Sequence, residues 1–367
     1  MNQKAVPAFR PLAGVRVLTV AESYPGPYAT LLLADLGADV VMVERPGRGD
    51  PSRREPGMFR ALARNKRSIT ADVKAPDEYA RLLSLIDRCD VFIEGWRPGV
   101  AKRNGLDYAT LSARNPRLVF VSISAFGQTG PYRLRPAHDL SLQALTGMLT
   151  NREETVTDEP YVPWGDLQAG TFAALGVVTA LFRRERTGFG SEVDVSMADC
   201  LTSAMSVALA PLLNGDRPLH LTQPGYCSYR CADGGWINLS ITHEDHLWEH
   251  LMEVLELPSL AGLDTPSRSE RCEEIKAALA QRFATRTRAD WEALLVRCDA
   301  AWAPVLALEE VLRDPQLRAR EMFVPIEGQG RCDWAVAQPL KFDGRSLGPT
   351  RPAPALGDQD PTQLWED

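Results

Sequence analysis

The first 125 residues alternate between short apolar runs and segments with the periodicity of a helix. Helices are expected over residues 28–36, before Gly37, and over residues 76–88, opened by Pro76. The apolar runs predict strands at residues 15–21, 40–43, 68–73, 90–93 and 118–122. Strands that alternate with helices are joined by crossover connections, which produce a parallel sheet with helices packed on its faces. The sequence therefore predicts an α/β fold with a Rossmann-like domain.

The loop after the first predicted strand lacks the usual dinucleotide-binding motif. Pro25-Gly26-Pro27 lies where a dehydrogenase would carry Gly-x-Gly-x-x-Gly. Proline has no backbone N–H to donate to a phosphate. The other local match, Gly47-Arg48-Gly49, follows the second strand instead of the first. These features argue against a nicotinamide cofactor.

A chain of 367 residues exceeds what one hydrophobic core usually serves, so two domains are expected. A long helix is expected over residues 167–186, followed by a strand over 193–197. From about residue 213 the pattern changes and predicts a smaller α+β domain. Residues 226–241, with Asp233-Gly234-Gly235 in the middle, predict a β-hairpin. Helices are then expected over about 244–255, 273–283 and 288–298. The Pro- and Gly-rich tail from Leu340 is expected to wrap over a neighbouring element or to fray.

Charge and composition narrow the ligand classes. The formal net charge is −7, which argues against nucleic-acid binding. Arginines are nevertheless frequent in the first 140 residues, and local positive charge suits a small phosphorylated ligand. Solvated surface charge is the alternative for any single one of these arginines: Arg45, Arg48, Arg53, Arg54, Arg64, Arg67, Arg97 and Arg103.

The sequence also indicates a compartment. No run approaches the roughly 18 consecutive apolar residues of a membrane helix, and residues 1–11 lack the apolar core of a signal peptide. Seven scattered cysteines fit reduced thiols better than a disulfide framework, and Cys227 and Cys231 have no second pair to complete a zinc site. We therefore expect a cytoplasmic protein with no membrane association and no metal.

Two polar residues are candidates for chemistry in the larger domain. His138 lies where a loop is expected to meet a helix, and the helix dipole would keep its imidazole neutral and usable as a base. Asp139 is expected to cap that helix. Asp166 precedes the small-residue face of the long helix, where it would act either as an N-cap or as a reactive carboxylate.

A third candidate lies in the smaller domain. Glu244 stands where the predicted hairpin meets the next helix and could contribute a polar group to a site. Metal binding by His243, His246 and His250 is conceivable from their spacing but does not follow the His-Glu-x-x-His pattern.

The order and spacing of several motifs resemble those of the CaiB/BaiF family, which contains the family III CoA-transferases and the α-methylacyl-CoA racemases. The likeness extends over nearly the whole chain. The motifs that carry it are Pro11-Leu12-Ala13-Gly14-Val15-Arg16-Val17-Leu18, Leu32-Leu33-Ala34-Asp35-Leu36-Gly37-Ala38-Asp39-Val40-Val41, Val43-Glu44-Arg45-Pro46-Gly47, Asn65-Lys66-Arg67-Ser68, Ile93-Glu94-Gly95-Trp96-Arg97-Pro98-Gly99-Val100, Phe126-Gly127-Gln128-Thr129-Gly130-Pro131, Gly165-Asp166 and Arg186-Thr187-Gly188-Phe189-Gly190.

The resemblance implies an architecture. A large Rossmann-like, CoA-binding domain would be built from residues 1–212 and 325–367, and a small α+β domain from residues 213–324. Two such chains would form an interlocked homodimer with CoA at the interface. No cofactor or metal is implied, since the CoA thioester is itself the substrate and free carboxylic acids are its partners in the reaction.

The resemblance also assigns residues. Arg45 and Arg103 match CoA-contacting arginines. Lys66 and Arg67 lie in the segment that flanks the adenine and phosphates, Gly95 and Trp96 form a further wall, and Asp166 matches the catalytic carboxylate.

Two reactions remain open on this scaffold. In a CoA-transferase the aspartate attacks the thioester carbonyl and forms a mixed anhydride. In a racemase the aspartate and a histidine act as an acid–base pair at the α-carbon. His138 matches the racemase histidine, and Glu244 lies close to a glutamate found in the racemase site. Tyr24 stands where formyl-CoA transferases carry glutamine, which argues against an oxalate or formate enzyme. We predict a CoA-transferase and keep racemase or epimerase as the alternative.

Overall fold

The computed structural model describes residues 10–149, 161–217, 223–328 and 331–365, and the chain divides into two compact units. The larger unit is built from both chain ends, up to Val207 and from Arg318 onward, and the smaller unit is Ala208–Leu317. These boundaries fall a few residues before the predicted ones at 212/213 and 324/325.

The larger unit contains the predicted parallel sheet, with six strands in the order β3-β2-β1-β4-β5-β6. The sheet order reverses between β1 and β4, and in such sheets ligands bind outside the carboxyl ends of the strands at that point. The strands are β1 (Arg16–Thr19), β2 (Asp39–Glu44), β3 (Lys66–Thr70), β4 (Val91–Glu94), β5 (Val119–Ser124) and β6 (Ser191–Ser196).

Helices cover both faces of this sheet because successive side chains of each strand point to opposite sides. Val17 belongs to one core with Leu33 and Val177, while Leu18 belongs to a second core with Leu82. The helices of this unit are α1 (Pro25–Asp35), α2 (Pro56–Ala63), α3 (Pro76–Ile86), α4 (Val100–Arg103), α5 (Tyr108–Arg114), α6 (Asp139–Leu145), α7 (Trp164–Thr187) and α8 (Met197–Ala204), and α9 (Ser206–Leu213) spans the boundary to the smaller unit.

The long helix α7 packs closely on α1 through small residues. A Cβ atom at Gly170 would lie 2.8 Å from both the Pro25 carbonyl oxygen and Tyr28 Cδ1, so only glycine allows this approach. Ala169 and Ala173 on the same face are fully buried. By length and composition α7 is the one helix among the described residues that could cross a membrane. Its packing on α1 is that of a core helix.

The smaller unit is the predicted α+β arrangement. The hairpin is confirmed as β7 (Ser228–Arg230) paired with β8 (Trp236–Leu239), and β9 (Trp302–Pro304) adds a third antiparallel strand. Trp248, Phe283 and Trp291 are fully buried in its core. Its helices are α10 (Asp245–Val254), α11 (Pro258–Ala261), α12 (Thr265–Glu270), α13 (Cys272–Phe283), α14 (Arg288–Leu295) and α15 (Leu308–Val311), and α16 (Pro315–Ala319) spans the boundary.

The C-terminal segment wraps over the larger unit. Of the two alternatives predicted for the tail, packing over a neighbouring element and fraying, the first is observed. It begins with two short antiparallel pairs, β10 (Phe323–Gly328) with β11 (Arg331–Val336) and β12 (Lys341–Phe342) with β13 (Arg345–Ser346). It then runs beside β3, where Ser68 N donates to Asp358 Oδ1 at 2.9 Å. Trp365 is buried and its Nε1 donates to Asp39 Oδ2 at 2.7 Å.

Candidate active site

A cavity of about 840 Å³ lies in the larger unit beside the carboxyl ends of β1, β2, β3 and β4. This is the point where the strand order reverses, so the fold itself places a ligand site there. Its walls come from the loops that follow these strands and from the start of α4. Residues on them are Val20, Glu22, Val43, Glu44, Arg45, Pro46, Arg48, Ala71, Asp72, Val73, Lys74, Trp96, Arg97, Val100 and Asn104.

Four cationic side chains and one indole line this cavity: Arg45, Arg48, Lys74, Arg97 and Trp96. Guanidinium and ammonium groups bind phosphate oxygens, and an aromatic wall suits a purine ring. The combination fits a nucleotide that carries several phosphates.

Arg45 is positioned to bind an anion that enters the cavity. Its side chain is 64% exposed, and its Nε lies 3.2 Å from Glu22 Oε1. Burial raises the pKa of Glu22, while the charge of Arg45 lowers it. An entering phosphate would compete with Glu22 for the guanidinium group.

The other predicted wall residues lie at or near the cavity. Trp96 lines it directly. Gly95 directly follows β4 and lies against the loop after β1, because a Cβ atom at Gly95 would lie 3.2 Å from Ala21 Cβ. Arg103 ends α4 and is exposed, between the lining residues Val100 and Asn104 in the chain.

Lys66 and Arg67 do not line this cavity, and their place beside the adenine and phosphates stays a prediction. Lys66 is 2% exposed, its Nζ donates to Pro27 O and Thr30 Oγ1 at 2.7 Å, and burial lowers its pKa to about 7. Arg67 Nε donates to Asp39 Oδ1 at 2.9 Å. Both side chains therefore hold β3 against its neighbours.

Sequence reasoning did not assign Lys74, Arg48 and Arg97 to the site. Arg48 and Arg97 were recognised only as members of the arginine-rich region. The available signal for Lys74 was its position shortly after a predicted strand, since loops at the carboxyl ends of parallel strands form the site.

Asp166 lies in the first turn of α7, as its third residue and not as the N-cap. The N-cap position is taken by Pro163, whose side chain makes no capping hydrogen bond. The acceptor comes instead from α6: Asp139 Oδ1 lies 2.5 Å from Gly165 N and 3.4 Å from Asp166 N. Asp139 was predicted to cap its own helix, but His138 occupies that N-cap position.

The Asp166 carboxyl group has an unusual electrostatic environment. Burial, followed by the nearby charge of Asp139, raises its pKa to about 7. Burial also raises the pKa of Tyr24, with the charge of Asp166 as the next cause. Tyr24 belongs to the β1–α1 loop that also carries Glu22 of the cavity wall. The carboxyl group thus lies near the loop that borders this cavity.

His138 and Asp166 stand at the starts of two helices that Asp139 connects. His138 is exposed, and its side chain makes no capping hydrogen bond to α6. An imidazole and a carboxyl group with a pKa of about 7 are both groups that can transfer a proton near neutral pH.

Glu244 belongs to the smaller unit, where its carboxylate is occupied by its own loop. Its Oε2 accepts hydrogen bonds from Thr242 N at 2.9 Å and from His243 N at 3.1 Å. The hydrogen bond from Thr242 N is the largest cause that lowers the pKa of Glu244. Nowhere in the described parts of the chain do three or more His, Cys, Asp or Glu side chains form a group that could hold a metal ion.

Glu94 is a buried acid behind the Trp96 wall. Its Oε2 accepts a hydrogen bond from Trp96 N at 2.7 Å, and burial raises its pKa to about 7. The folded state therefore holds this proton more tightly than the unfolded state. Its contribution to stability is lost as the pH rises from about 4.5 through 7.

Glu94→Gln is accordingly expected to gain stability relative to the parent protein at alkaline pH. The difference in the free energy of unfolding between the two proteins should change by up to about 3 kcal/mol in favour of the variant from pH 4.5 to pH 8, because one pKa unit corresponds to about 1.4 kcal/mol. Chemical unfolding of both proteins across this range measures it. A gap that does not change with pH would show that Glu94 does not titrate as described.

Comparisons with known proteins identify the family. The sequence model of CoA-transferase family III matches residues 12–360. The chain is 31% identical to acetyl-CoA:oxalate CoA-transferase from Acetobacter aceti, covering 95% of this chain and 94% of that protein. It is 34% identical to human alpha-methylacyl-CoA racemase, covering 87% of this chain and 84% of that protein.

Solved structures agree with the sequence comparisons. A CaiB/BaiF family protein from Brucella suis superposes with a TM-score of 0.81 at 29% identity, covering 95% of this chain and 97% of that one. The predicted resemblance is confirmed along the chain, and the protein belongs to CoA-transferase family III, the CaiB/BaiF family.

Proposed function

We propose that this enzyme moves CoA from an acyl-CoA thioester to a free carboxylic acid, with Asp166 as the nucleophile. The observation that carries the proposal is the Asp166 carboxyl group, half-buried at the start of α7 and accepting no hydrogen bond from any described residue. An unoccupied carboxylate oxygen is what attack on a thioester requires.

The cavity supplies the binding half of this proposal. CoA is a nucleotide with three phosphate groups, and four cations around an indole match its charged end. The β1–α1 loop connects the cavity wall at Glu22 with Tyr24 beside Asp166. The same loop could therefore guide the thioester end toward the nucleophile.

The first chemical step follows from these groups. A carboxylate oxygen of Asp166 attacks the thioester carbonyl carbon, the C–S bond breaks, and CoA leaves as the thiolate. The product is an aspartyl-acyl mixed anhydride. The thiolate attacks its aspartyl carbonyl, which releases the donor acid as a free carboxylate and leaves an aspartyl-CoA thioester. The acceptor carboxylate displaces the thiolate to form a second anhydride, and attack of the thiolate on the acceptor carbonyl gives the new acyl-CoA and returns the Asp166 carboxylate. No oxidant or reductant is consumed, so the step balances with the substrates alone.

Racemisation at the α-carbon is the second candidate, and one observation favours it. Asp166, with a pKa of about 7, and His138 lie at neighbouring helix starts, which suits an acid–base pair working near neutral pH. In this reaction one group would remove the α-proton and the other would return a proton on the opposite face.

An exposed apolar helix face supports the homodimer. Phe172, Leu175, Val178 and Phe182 recur on one side of α7 and remain exposed, with Leu175 at 56% and Phe182 at 59%. A second copy of the chain would bury this face. The six cysteines whose side chains the structure describes, Cys89, Cys200, Cys227, Cys231, Cys272 and Cys298, are free thiols, which supports a reducing, cytoplasmic location.

One experiment separates the two reactions. The purified protein is incubated in D₂O with a 2-methylacyl-CoA, with and without a free carboxylic acid, and the products are analysed by mass spectrometry and NMR. Acyl exchange onto the acid with little α-deuteration supports the transferase. Deuterium at the α-position without an acceptor, lost in His138→Ala, would replace that proposal with the racemase.

The cavity assignment makes a prediction for CoA affinity. Lys74→Ala is expected to raise the Kd for CoA about tenfold, because a charge-assisted hydrogen bond contributes about 1.5 kcal/mol or more. Isothermal titration with CoA measures the change. Lys102→Ala serves as the control, since Lys102 is an exposed lysine of α4 outside the cavity lining. Equal effects of the two variants would contradict a specific phosphate contact.

A further inference from the structure

The first turn of α7 would ordinarily hold the carboxylate of its own third residue. Helix N-termini leave backbone N–H groups without partners, and an acidic side chain at the third position commonly folds back to the N-cap N–H. Here the N-cap residue is Pro163, which has no N–H to donate. The remaining donors of that turn, Gly165 N and Asp166 N, both point at Asp139 Oδ1.

Asp139 is built into this position by contacts on all sides. It is 5% exposed, and its second oxygen accepts hydrogen bonds from Gln143 Nε2 at 2.6 Å and from the Tyr161 hydroxyl. A Cβ atom at residue 165 would lie 2.7 Å from Asp139 Oδ1, so the glycine there is needed for the carboxylate to approach.

We propose that Asp139 is a positioning residue: it takes the free N–H groups at the start of α7 and so leaves the Asp166 carboxylate unbonded and able to react. The inference rests on the proposed role of Asp166 as nucleophile and adds a residue that controls it. Asp139 acts through the helix terminus and touches no substrate.

The charge of Asp139 has a second effect on Asp166. The two carboxyl groups lie close together, and this proximity, after burial, raises the pKa of Asp166. Other titratable groups around the pair are Tyr24 at the start of α1, Tyr161 before α7 and His138 before α6. From α8 the apolar Leu201 packs near Gly165, since a Cβ at Gly165 would lie 3.2 Å from Leu201 Cδ1.

Two variants of Asp139 separate its roles. Asp139→Asn keeps an oxygen acceptor for the α7 amides but removes the charge. We expect the acid limb of the kcat–pH profile to fall by about one pH unit, because a like charge has been removed from the nucleophile. Asp139→Ala frees the amides to bind Asp166 itself. We expect kcat to fall at least about tenfold on the alkaline plateau, with KM nearly unchanged and activity recovered in the asparagine variant.

A titration that does not depend on turnover accompanies the kinetics. Protein labelled with ¹³C at the aspartate carboxyl carbons is titrated by NMR, and the Asp166 signal is assigned by its loss in Asp166→Asn. The signal should titrate at lower pH in Asp139→Asn. Asp90→Asn is the control, because Asp90 also belongs to the larger unit and its carboxylate also accepts a hydrogen bond from a backbone N–H, that of Arg16. This control should leave the Asp166 titration unchanged.

The outcomes distinguish this inference from the proposed function. If the Asp166 titration shifts in Asp139→Asn but the parent enzyme transfers no CoA, the positioning role holds and the proposed reaction is wrong. If CoA transfer depends on Asp166 while neither Asp139 variant changes the titration or the plateau kcat, the inference is wrong. Equal losses of kcat in the alanine and asparagine variants, with an unchanged titration, would also overturn it.

Discussion

Replacing Asp166 with asparagine is expected to abolish CoA transfer while leaving the protein folded. Loss of a catalytic nucleophile lowers kcat by about 1,000-fold or more. The fold should tolerate the change because no described residue donates a hydrogen bond to this carboxylate and because Asp139, not Asp166, caps α7. Removing a charge beside Asp139 should even stabilise the protein slightly at pH 8.

The measurement is steady-state CoA exchange together with thermal unfolding. Asp199→Asn is the matched control, because Asp199 is also the third residue of a helix, α8, in the same unit and is exposed. It should retain near-parental kcat. Full activity in Asp166→Asn would remove Asp166 as nucleophile, and a large fall in melting temperature would show that its role is structural.

Gly170→Val is expected to destabilise the larger unit by about 3 kcal/mol, the upper part of the range for overpacked cores. The added side chain would meet the Pro25 carbonyl oxygen and the Ala29 backbone nitrogen, at 2.8 and 3.2 Å from its Cβ atom. Backbone atoms cannot turn aside as a flexible side chain can. Since α1 follows the Tyr24 loop and α7 carries Asp166, separation of these helices should also reduce activity.

Chemical unfolding followed by tryptophan fluorescence measures the stability of this variant. Gly57→Ala is the control, because Gly57 lies in a helix, α2, and a Cβ there meets nothing within 4 Å. Alanine is a better helix former than glycine, so this control should be as stable as the parent or slightly more stable. Equal stability of the Gly170 and Gly57 variants would contradict the close α1–α7 packing.

Much of the fold could be read from the chain because the relevant signals are local. The apolar runs at residues 15–21, 40–43 and 90–93 correspond to β1, β2 and β4, and the helix expected at 167–186 corresponds to α7. The three-residue strand β9 was missed, because it is short and pairs with β8 about 60 residues earlier in the chain. Its existence depends on that partner and not on its own pattern.

The site depends on tertiary structure more than the fold does. Family motifs predict Asp166 as the nucleophile and place Lys66 and Arg67 beside the ligand. In the structure Lys66 and Arg67 lie at the start of β3, whereas Lys74 follows its carboxyl end and lines the cavity. A sequence motif records which residues occur together and does not record which edge of the sheet they reach.

The sequence by itself determined the alternation of strands and helices and the family, and it pointed to Asp166 as the candidate nucleophile, because periodicity and motif spacing are properties of neighbouring residues. Only the tertiary structure decided what surrounds that carboxylate. Asp139 reaches the start of α7 from 27 residues earlier in the chain and accepts from its backbone N–H groups, while burial and the charge of Asp139 raise the pKa of Asp166 to about 7. Such an environment depends on burial and on distant partners, which the chain acquires only when its helices pack together.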